Sequence, residues 1–252
     1  MIFMQIIGLR LPLIKPGDDL VAILLEAAKG RGGIRDGDVL VIASSAVATA
    51  EGRLRKLSDV VASEAARRLA KKTGLDERFV EVVIQEADQV LGTGERSVLT
   101  LKDGMLRINS GVDASNAPPG YVVLMPADGD RVADAILKKI ERKTGKRVGV
   151  ILADSHIQPL RLGTVGQAVG VSGIQPVIDC RRQRDLYGRR LRVTFRAIAD
   201  QLATAAQIVM GEGDERIPAV LIRGLPMRKE GRRISPKVEV KRDIYSGLLG
   251  LR

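Results

Sequence analysis

One stretch, Val148 to Gly170, constrains the fold and the chemistry of this chain more than any other. It opens with a short apolar run, Val148 to Leu152, whose β-branched residues are typical of a buried strand. Asp154-Ser155-His156 follow this run, so a carboxylate, a hydroxyl and the only histidine of the chain leave the predicted strand together. The pattern therefore predicts a sheet edge that carries polar, chemically useful side chains.

Arg161 and three glycines, Gly163, Gly166 and Gly170, come next in the chain. Glycine lets the backbone approach another group closely. A carboxylate, an arginine and glycines at a strand end suit a site for a metal ion and a phosphate. The local sequence also leaves open a plainer alternative, which is a strand with a polar turn and a glycine-rich packing segment.

The length and composition are those of a globular protein. The 252 residues suit one large domain or two smaller ones, and hydrophobic residues make up 45% of them. No apolar run reaches the length of a membrane span, and the N-terminal residues lack a charged start followed by a cleavage site of small residues. We therefore expect a cytoplasmic protein with no membrane partner.

The formal net charge of +11 favours anionic partners. A nucleotide, a polyanionic small substrate, nucleic acid or simply a well-solvated surface would each account for it. With three Phe, three Tyr and no Trp, a platform for stacking bases is not expected, which argues against nucleic acid. The single Cys180 excludes a disulfide framework and a cysteine zinc site, and packing is its favoured role.

The order of apolar patterns and turn residues mixes hairpins with helices, which favours an α+β fold over a doubly wound parallel sheet. Asp103-Gly104 is a hairpin signal between two short apolar runs. The predicted helices cover residues 19–29, 58–72, 76–90, 130–143 and 197–210. The predicted strands cover residues 1–9, 39–43, 97–101, 105–109, 121–125, 148–152, 177–179, 191–195 and 219–223.

Three loops carry acidic side chains beside glycine and after an apolar element. Hard cations such as Mg²⁺ or Mn²⁺ take oxygen ligands of this kind, although Asp and Asn are also common in ordinary turns and caps. The chain has no P-loop, no dinucleotide fingerprint and no nucleophile elbow, so a nucleotide site here would be of a less familiar type. The three loops contain Asp113 with Asn116, Asp154 with Ser155, and Glu212 with Asp214 and Glu215.

Seven short stretches resemble, in order and spacing, those of the coenzyme F-420-0:L-glutamate ligase family, a γ-glutamyl ligase family. The resemblance runs from about residue 5 to residue 225. It implies an α+β fold of two intertwined subdomains over residues 1–225, a basic C-terminal segment over 226–252, and a homodimer. The stretches are Leu11–Asp19 (LPLIKPGDD), Asp36–Leu40 (DGDVL), Ala50–Arg53 (AEGR), Asn109–Asn116 (NSGVDASN), Gly145–Val150 (GKRVGV), Asp185–Arg189 (DLYGR) and Met210–Gly213 (MGEG).

The resemblance also implies a reaction. It is a GTP- and divalent-metal-dependent ligation of L-glutamate to a carboxylate acceptor, coenzyme F420-0 or a related compound. The acceptor carboxylate takes the γ-phosphoryl group to give an acyl phosphate, and the glutamate amine then displaces phosphate. The implied ions are Mg²⁺ or Mn²⁺, with K⁺ as an optional addition. The acceptor, the choice of GTP over ATP and the number of glutamates stay open.

Matched position by position, Asp113 and Asp154 resemble ligands of one metal ion, and Ser155 and Glu212 resemble ligands of a second. Asp154 and Arg161 are the expected catalytic residues. The implied nucleotide contacts are Leu11, Pro12, Leu13, Ile14, Ser44, Ser45, Thr49, Asn116, Met210, Gly211, Glu212, Gly213, Asp214, Glu215, Arg216 and Ile217.

Two positions depart from the family pattern. Thr49 stands where the family has a lysine, so a phosphate-facing cation is missing unless Arg53 or another basic residue replaces it. His156-Ile157-Gln158 stand where the family has Asn-Gly-Arg. Three interpretations remain: a ligase acting on the same or another acceptor, a nucleotide- and metal-binding protein without ligase activity, and, against the low aromatic content, a nucleic-acid-binding protein.

Overall fold

The computed structural model describes residues 3–225, 233–247 and 250. Residues 226–232, 248–249 and 251–252 of the expected basic segment lie outside this range, as do the first two residues of the strand predicted at 1–9. The helices are α1 (Leu20–Lys29), α2 (Ser44–Ala50), α3 (Glu64–Thr73), α4 (Glu77–Glu86), α5 (Gly129–Thr144) and α6 (Ile198–Met210). The strands are β1 (Gln5–Leu9), β2 (Val39–Ala43), β3 (Leu54–Lys56), β4 (Gln89–Gly94), β5 (Ser97–Lys102), β6 (Met105–Ile108), β7 (Tyr121–Val123), β8 (Gly149–Ile157), β9 (Thr164–Ser172), β10 (Ile178–Asp179), β11 (Phe195–Arg196) and β12 (Ala219–Arg223). The α+β class predicted from the sequence is confirmed.

The chain divides into two compact units. The first contains Met1–Val47 and Ala127–Pro236, and the second contains Ala48–Pro126 and Lys237–Arg252. The first unit holds a five-stranded mixed sheet in the order β1-β12-β2-β8-β9. Only the β2–β8 pair in this sheet is parallel, and its other three pairs are antiparallel.

The sheet of the first unit is buried on both faces, as the unbroken apolar runs in β2, β8 and β12 require. Helix α6 lies on one face, and alanines on its inner side let it approach the strands closely. Full burial of each large apolar side chain stabilises the fold by about 1.5–3 kcal/mol. The cluster under α6 is formed by Val39, Val41, Ile151, Ala153, Ala168, Val171, Ala199, Leu202, Ala203, Ala206, Val220 and Ile222.

The glycine-rich stretch is strand β9 and not a ligand-binding loop. A Cβ at Gly166 would lie 2.6 Å from the backbone nitrogen of Thr204 in α6, and one at Gly170 would lie 2.8 Å from the Cα of Gly129 in α5. Both glycines are therefore needed because two helices approach the strand here. Pairing with β9 also extends β8 to Ile157, so Asp154, Ser155 and His156 lie within the strand and not after it.

The second unit has its own core. Helices α3 and α4 pack against each other. Strands β4, β5 and β6 form an antiparallel sheet, and β3 pairs with β7. Asp103 and Gly104 both have positive φ, 52° and 70°, between the paired ends Lys102 and Met105, which confirms the predicted hairpin. Buried residues such as Val80, Val83 and Val98 fill the space between these elements.

Three local predictions were wrong. The helix expected from Ser58 begins at Glu64, because Ser63 accepts the N–H of Ala66 as the cap, whereas Ser58 lies in a 3-10 turn over Leu57–Asp59. The strand expected over residues 191–195 is wrong except at its last residue, because only Phe195 and Arg196 pair with another strand, β10. The helix expected to reach residue 90 ends at Glu86, after which strand β4 begins at Gln89.

A buried ion pair fixes the start of β2 to the end of β12. The guanidinium of Arg223 makes two 2.8 Å hydrogen bonds to the Asp38 carboxylate, and donates a third to the Gly33 carbonyl. Asp38 is almost fully buried, and its presence raises the pKa of Arg223. The Arg223 guanidinium is therefore fully engaged within the fold and is not available to bind an anionic partner.

We expect Arg223→Ala to lower the free energy of unfolding by about 3–5 kcal/mol, because it leaves the Asp38 carboxylate buried without its partner. Urea denaturation measures the change. Lys29→Ala, which removes an exposed ion pair with Glu26, is the control and should change the value by less than about 1 kcal/mol. Equal small effects of both variants would contradict the account.

We expect Gly166→Ala to destabilise the protein by about 1–3 kcal/mol, because the added methyl group meets the backbone of α6. Gly92→Ala is the matched control, since Gly92 is also a strand glycine and nothing lies within 4 Å of an added Cβ there. Thermal unfolding of the two variants compares them. A control that loses as much stability as Gly166→Ala would show that steric contact with α6 is not the cause.

Candidate functional site

The end of the parallel pairing between β2 and β8 brings two predicted site residues together. Ala43 pairs with Ala153 as the last pair, so the next residues, Ser44 at the start of α2 and Asp154 within β8, lie side by side. The Ser44 hydroxyl donates a hydrogen bond of 3.1 Å to the Asp154 carboxylate, although the two are 110 residues apart in the chain. Ser44 is buried and Asp154 is partly exposed.

A second group forms around the Glu212 carboxylate. The Ser155 hydroxyl donates to Glu212 Oε1 at 2.8 Å, and the Thr164 hydroxyl donates to the same oxygen at 2.9 Å. The Gln207 side-chain amide contacts Glu212 and also donates to Ser155 Oγ at 3.0 Å. Strands β8 and β9 and the end of α6 thus converge on one carboxylate, and all four residues are in the first unit.

The loop after α6 is shaped by glycine. Gly211 ends the helix with a φ of 70°, and a Cβ there would lie 2.6 Å from a carboxylate oxygen of Glu215. The Gly213 N–H donates a 2.8 Å hydrogen bond to this same carboxylate. The loop backbone can therefore hold an anionic group at this point, and in this structure the group is the side chain of Glu215.

The loop continues toward the N-terminal segment. The Leu11 N–H donates to the Arg216 carbonyl at 3.0 Å, which connects the Leu11–Ile14 stretch to the 210–217 loop. Leu11 is buried and Leu13 is 75% exposed, so the segment has one anchored residue and one that is open to solvent.

The other expected nucleotide residues of the first unit differ in their exposure. Ile217 packs against the core under α6. The expected nucleotide residues Ser45 and Met210 are partly exposed, whereas Pro12 and Asp214 are exposed.

Three predicted site residues, Asp113, Asn116 and Thr49, belong to the second unit. Asp113 Oδ1 accepts the N–H of Ser115 at 2.8 Å, and its backbone pairs with Val123. Asn116 has a φ of 55°. The two expected ligands of the first ion, Asp113 and Asp154, thus belong to different units.

Arg53, the expected replacement for the missing lysine, is engaged within the second unit. Its Nε donates to the Met125 carbonyl at 3.0 Å, and its terminal nitrogen lies 3.6 Å from the Glu86 carboxylate. Arg161, the expected catalytic cation, lies in an exposed turn in which its N–H donates to the Gln158 carbonyl at 3.2 Å.

The donor atoms around Asp154 and Glu212 fit a hard divalent cation. Carboxylate and hydroxyl oxygens are what Mg²⁺ and Mn²⁺ prefer, and both groups contain one carboxylate with adjacent hydroxyls. Within the described part of the chain, no three His, Cys, Asp or Glu side chains form a metal-binding cluster of their own. Such an ion would therefore depend on hydroxyls, water or substrate oxygens for its remaining ligands.

Sequence reasoning missed two residues of the Glu212 group, Thr164 and Gln207. Thr164 was missed because it lies in a glycine-rich stretch, and glycines do not indicate that β9 pairs with β8. Gln207 lies five residues before Glu212, and helix α6 ends between them at Met210. The direction of the chain after a helix end cannot be predicted from the spacing, so the contact was not expected. Cys180 is buried, as expected of a packing residue.

Arg233, in the expected basic C-terminal segment, is paired within the first unit. Its guanidinium lies 2.8 Å from the Asp130 carboxylate. None of the helices over 3–225, 233–247 and 250 is long and apolar enough to cross a membrane.

Comparison with known proteins identifies the family. The model of the family described as F420-0:Gamma-glutamyl ligase matches residues 8–224. Curated relatives named coenzyme F420:L-glutamate ligase include one from Methanopyrus kandleri, 45% identical over 84% of this chain and 83% of the relative. Others come from Archaeoglobus fulgidus, 42% identical over 88% of this chain and 87% of the relative, and Methanocaldococcus jannaschii, 44% identical over 87% of each chain. The chain therefore belongs to the F420-0:gamma-glutamyl ligase family and is an enzyme of the ligase class.

Proposed function

We propose that this protein adds L-glutamate to a carboxylate acceptor, coenzyme F420-0 or a close relative, in a reaction that consumes GTP and requires Mg²⁺ or Mn²⁺. The γ-phosphoryl group passes to the acceptor carboxylate, and the amine of L-glutamate displaces phosphate from the acyl phosphate. K⁺ as a further ion and a homodimer are part of the same proposal. Its support is the family membership together with the two carboxylate groups described above.

The observation that carries the proposal is the presence of two groups of hard oxygen donors near one end of strand β8. Asp154 meets Ser44 where the parallel pairing of β2 with β8 ends, and Ser155, the next residue of β8, meets Glu212. Successive side chains of a strand point to opposite faces of the sheet, so the two groups lie on its two faces. Each group supplies the carboxylate and hydroxyl oxygens that Mg²⁺ and Mn²⁺ prefer.

The residues of the chain have separate roles in this proposal. Asp154, Ser155 and Glu212 would hold the divalent ions, which supply positive charge beside the triphosphate. The Gly213 N–H, which now donates to Glu215, would donate to a phosphate oxygen once Glu215 turns away. Gln207 and Thr164 position the Glu212 carboxylate, since each contacts it directly.

A second candidate has specific support. Thr49 stands where the resemblance implies a lysine, and Arg53 is hydrogen-bonded to Met125 and close to Glu86, so it does not supply that cation in this structure. This observation favours a protein that binds the nucleotide and metal without ligation, or a ligase for another acceptor. Tight GTP binding without turnover would identify the first of these.

We expect Asp154→Ala to weaken Mn²⁺-dependent GTP binding by roughly 100-fold, or about 2.8 kcal/mol, because it removes the carboxylate that the proposal gives to the ion. Calorimetric titration with GTP and with ATP, each with and without Mn²⁺, measures this. Asp134→Ala in α5 is the control, since its carboxylate is hydrogen-bonded to Ser172 and has no role in the proposed site. GTP binding that is equal in the wild type and Asp154→Ala would overturn the assignment.

We expect Gln207→Leu to lower the affinity for Mn²⁺ about tenfold, because its amide positions Ser155, Thr164 and Glu212 and residues behind a metal ligand commonly contribute 10- to 100-fold. The readout is the Mn²⁺ concentration that half-saturates GTP binding. GTP binding without metal should stay the same. An effect that is independent of Mn²⁺ would instead indicate general damage to the loop.

A further inference from the structure

A hairpin of the first unit, the arginine arm, covers residues 179–196. It contains seven arginines and two aspartates, and it has no lysine or glutamate. Strands β10 and β11 pair at its base. The arm includes the stretch Asp185–Arg189, to which the proposed reaction gives no role. Its charge makes it a second place, apart from the site around Glu212, at which this protein can meet an anion.

The tip and the base of the arm are both held in place. At the tip, Asp185 Oδ1 accepts the N–H groups of Tyr187 at 2.9 Å and Arg189 at 2.8 Å, and Gly188 adopts a positive φ of 78°. At the base, Cys180 is buried. The arginines are therefore presented on a folded hairpin and not on a loose loop.

Two arginines face each other across the arm. Arg184 forms an antiparallel bridge with Arg190, and backbone hydrogen bonds of 2.8 and 2.9 Å join the residues on either side of this pair. In a pair of this type the two Cα atoms are only about 4.5 Å apart and both side chains project from one face. Arg184 donates one N–H to the Gly188 carbonyl, although a guanidinium has five to donate. Like charges directly opposite each other are destabilising, so an anion between these two side chains would be favourable.

The two aspartates of the arm do not neutralise its charge. Asp179 is paired with Arg181 through hydrogen bonds of 2.9 and 2.7 Å, which lower the pKa of Asp179 to about 2. Asp185 is occupied by the backbone N–H groups of the turn. Over the part of the chain that the structure describes, the remaining arginines of the arm are exposed and have no carboxylate within salt-bridge distance. They are Arg182, Arg184, Arg189, Arg190, Arg192 and Arg196.

The ligand that suits the arm is an extended chain of carboxylates. Guanidinium groups bind carboxylates and phosphates through paired hydrogen bonds, and a row of them on a hairpin matches a ligand with several anionic groups. Single-stranded nucleic acid would also need aromatic side chains on which its bases could stack. The arm has only Tyr187 and Phe195, and the guanidinium of Arg181 already lies over the Phe195 ring, 4.6 Å from its centre. These observations favour carboxylates over a nucleic acid.

The proposed reaction makes such a chain. L-Glutamate brings two carboxylates, and the new amide bond uses one carboxylate of the acceptor, so each ligation leaves the product with one more carboxylate. The arm joins α6 at the start of the helix, whereas Glu212 follows the end of the helix. Because α6 has 13 residues, the base of the arm is about 20 Å from the Glu212 group. The arm is thus separate from the proposed site of phosphoryl transfer.

We propose that the arginine arm binds the carboxylates of an extended γ-glutamyl chain, with Arg184 and Arg190 as the central pair. The bound chain is the part of the acceptor or product that is remote from the reacting carboxyl group. The anion site follows from the arm itself, whereas the identity of the anion as a γ-glutamyl chain rests on the proposed function.

The test is calorimetric titration of the full chain with tri-γ-L-glutamate, without GTP or metal. The wild type should bind this peptide at least about tenfold more tightly than L-glutamate, and the affinity should fall several-fold between about 50 and about 200 mM NaCl. The double variant Arg184→Gln/Arg190→Gln should weaken binding about tenfold. Arg184→Lys/Arg190→Lys keeps the charge but loses the planar fork, and it should weaken binding by a smaller factor.

Arg131→Gln/Arg142→Gln is the matched control. It removes the same charge from two exposed arginines of α5, and its affinity for the peptide should stay within about twofold of the wild type. An equal loss in this control, no binding of the peptide by the wild type, or unchanged binding in Arg184→Gln/Arg190→Gln would overturn the inference. Tighter binding of a DNA oligonucleotide of equal net charge would assign the arm to nucleic acid and overturn it as well.

Failure of the proposed function gives a different result. The protein would then bind tri-γ-L-glutamate in a manner that depends on Arg184 and Arg190, and would add no glutamyl residue to any acceptor. A protein that ligates L-glutamate but binds the peptide equally well in the wild type and in Arg184→Gln/Arg190→Gln would show the reverse, which is a failure of the arm alone.

Discussion

The parallel pairing of β2 with β8 is the constraint on which the rest of the site depends. It places Ser44 and Asp154 at the same edge of the sheet, although 110 residues separate them in the chain. Both strands are buried on their two faces, so a shift of one residue would move each apolar side chain to the opposite packed face, where the space is filled differently. The Asp38–Arg223 ion pair adds a second restraint at the opposite end of β2. The site is thus built on rigid strands and only completed by the loop after α6.

Strand β9 determines how the residues around Glu212 are arranged. Its glycines admit α6 at close range, and its pairing with β8 brings Thr164 beside Ser155 and both beside Glu212. β9 is the edge strand of this sheet, and two helix carboxylates, Asp130 and Asp200, accept two of its backbone N–H groups. Packing and binding are consequences of the same strand geometry.

Sequence alone predicted the α+β class, the apolar strands β2, β8 and β12, the Asp103-Gly104 hairpin and the polar residues Asp154 and Ser155. These depend on local patterns or on residue types that have few alternatives. It did not predict strand β9, because two of its nine residues are glycines that are required only once α5 and α6 lie against them. Gln207 and Asp200 were missed for a related reason, since their partners are set by strand pairing and helix docking. The ion pair of Arg223 with Asp38 was not predicted, because a charged residue in a sequence gives no information on its burial or its partner.

The central claim is that the residues where the β2–β8 pairing ends, with Glu212, form a working ligase site for L-glutamate. The most direct measurement is mass spectrometry of coenzyme F420-0 after incubation with the protein, L-glutamate, GTP and Mn²⁺, alongside the Methanocaldococcus jannaschii relative. The account predicts that the acceptor gains glutamyl residues and that phosphate is released in equal amount. An unchanged acceptor and no phosphate, in a mixture where the relative turns over, would contradict it.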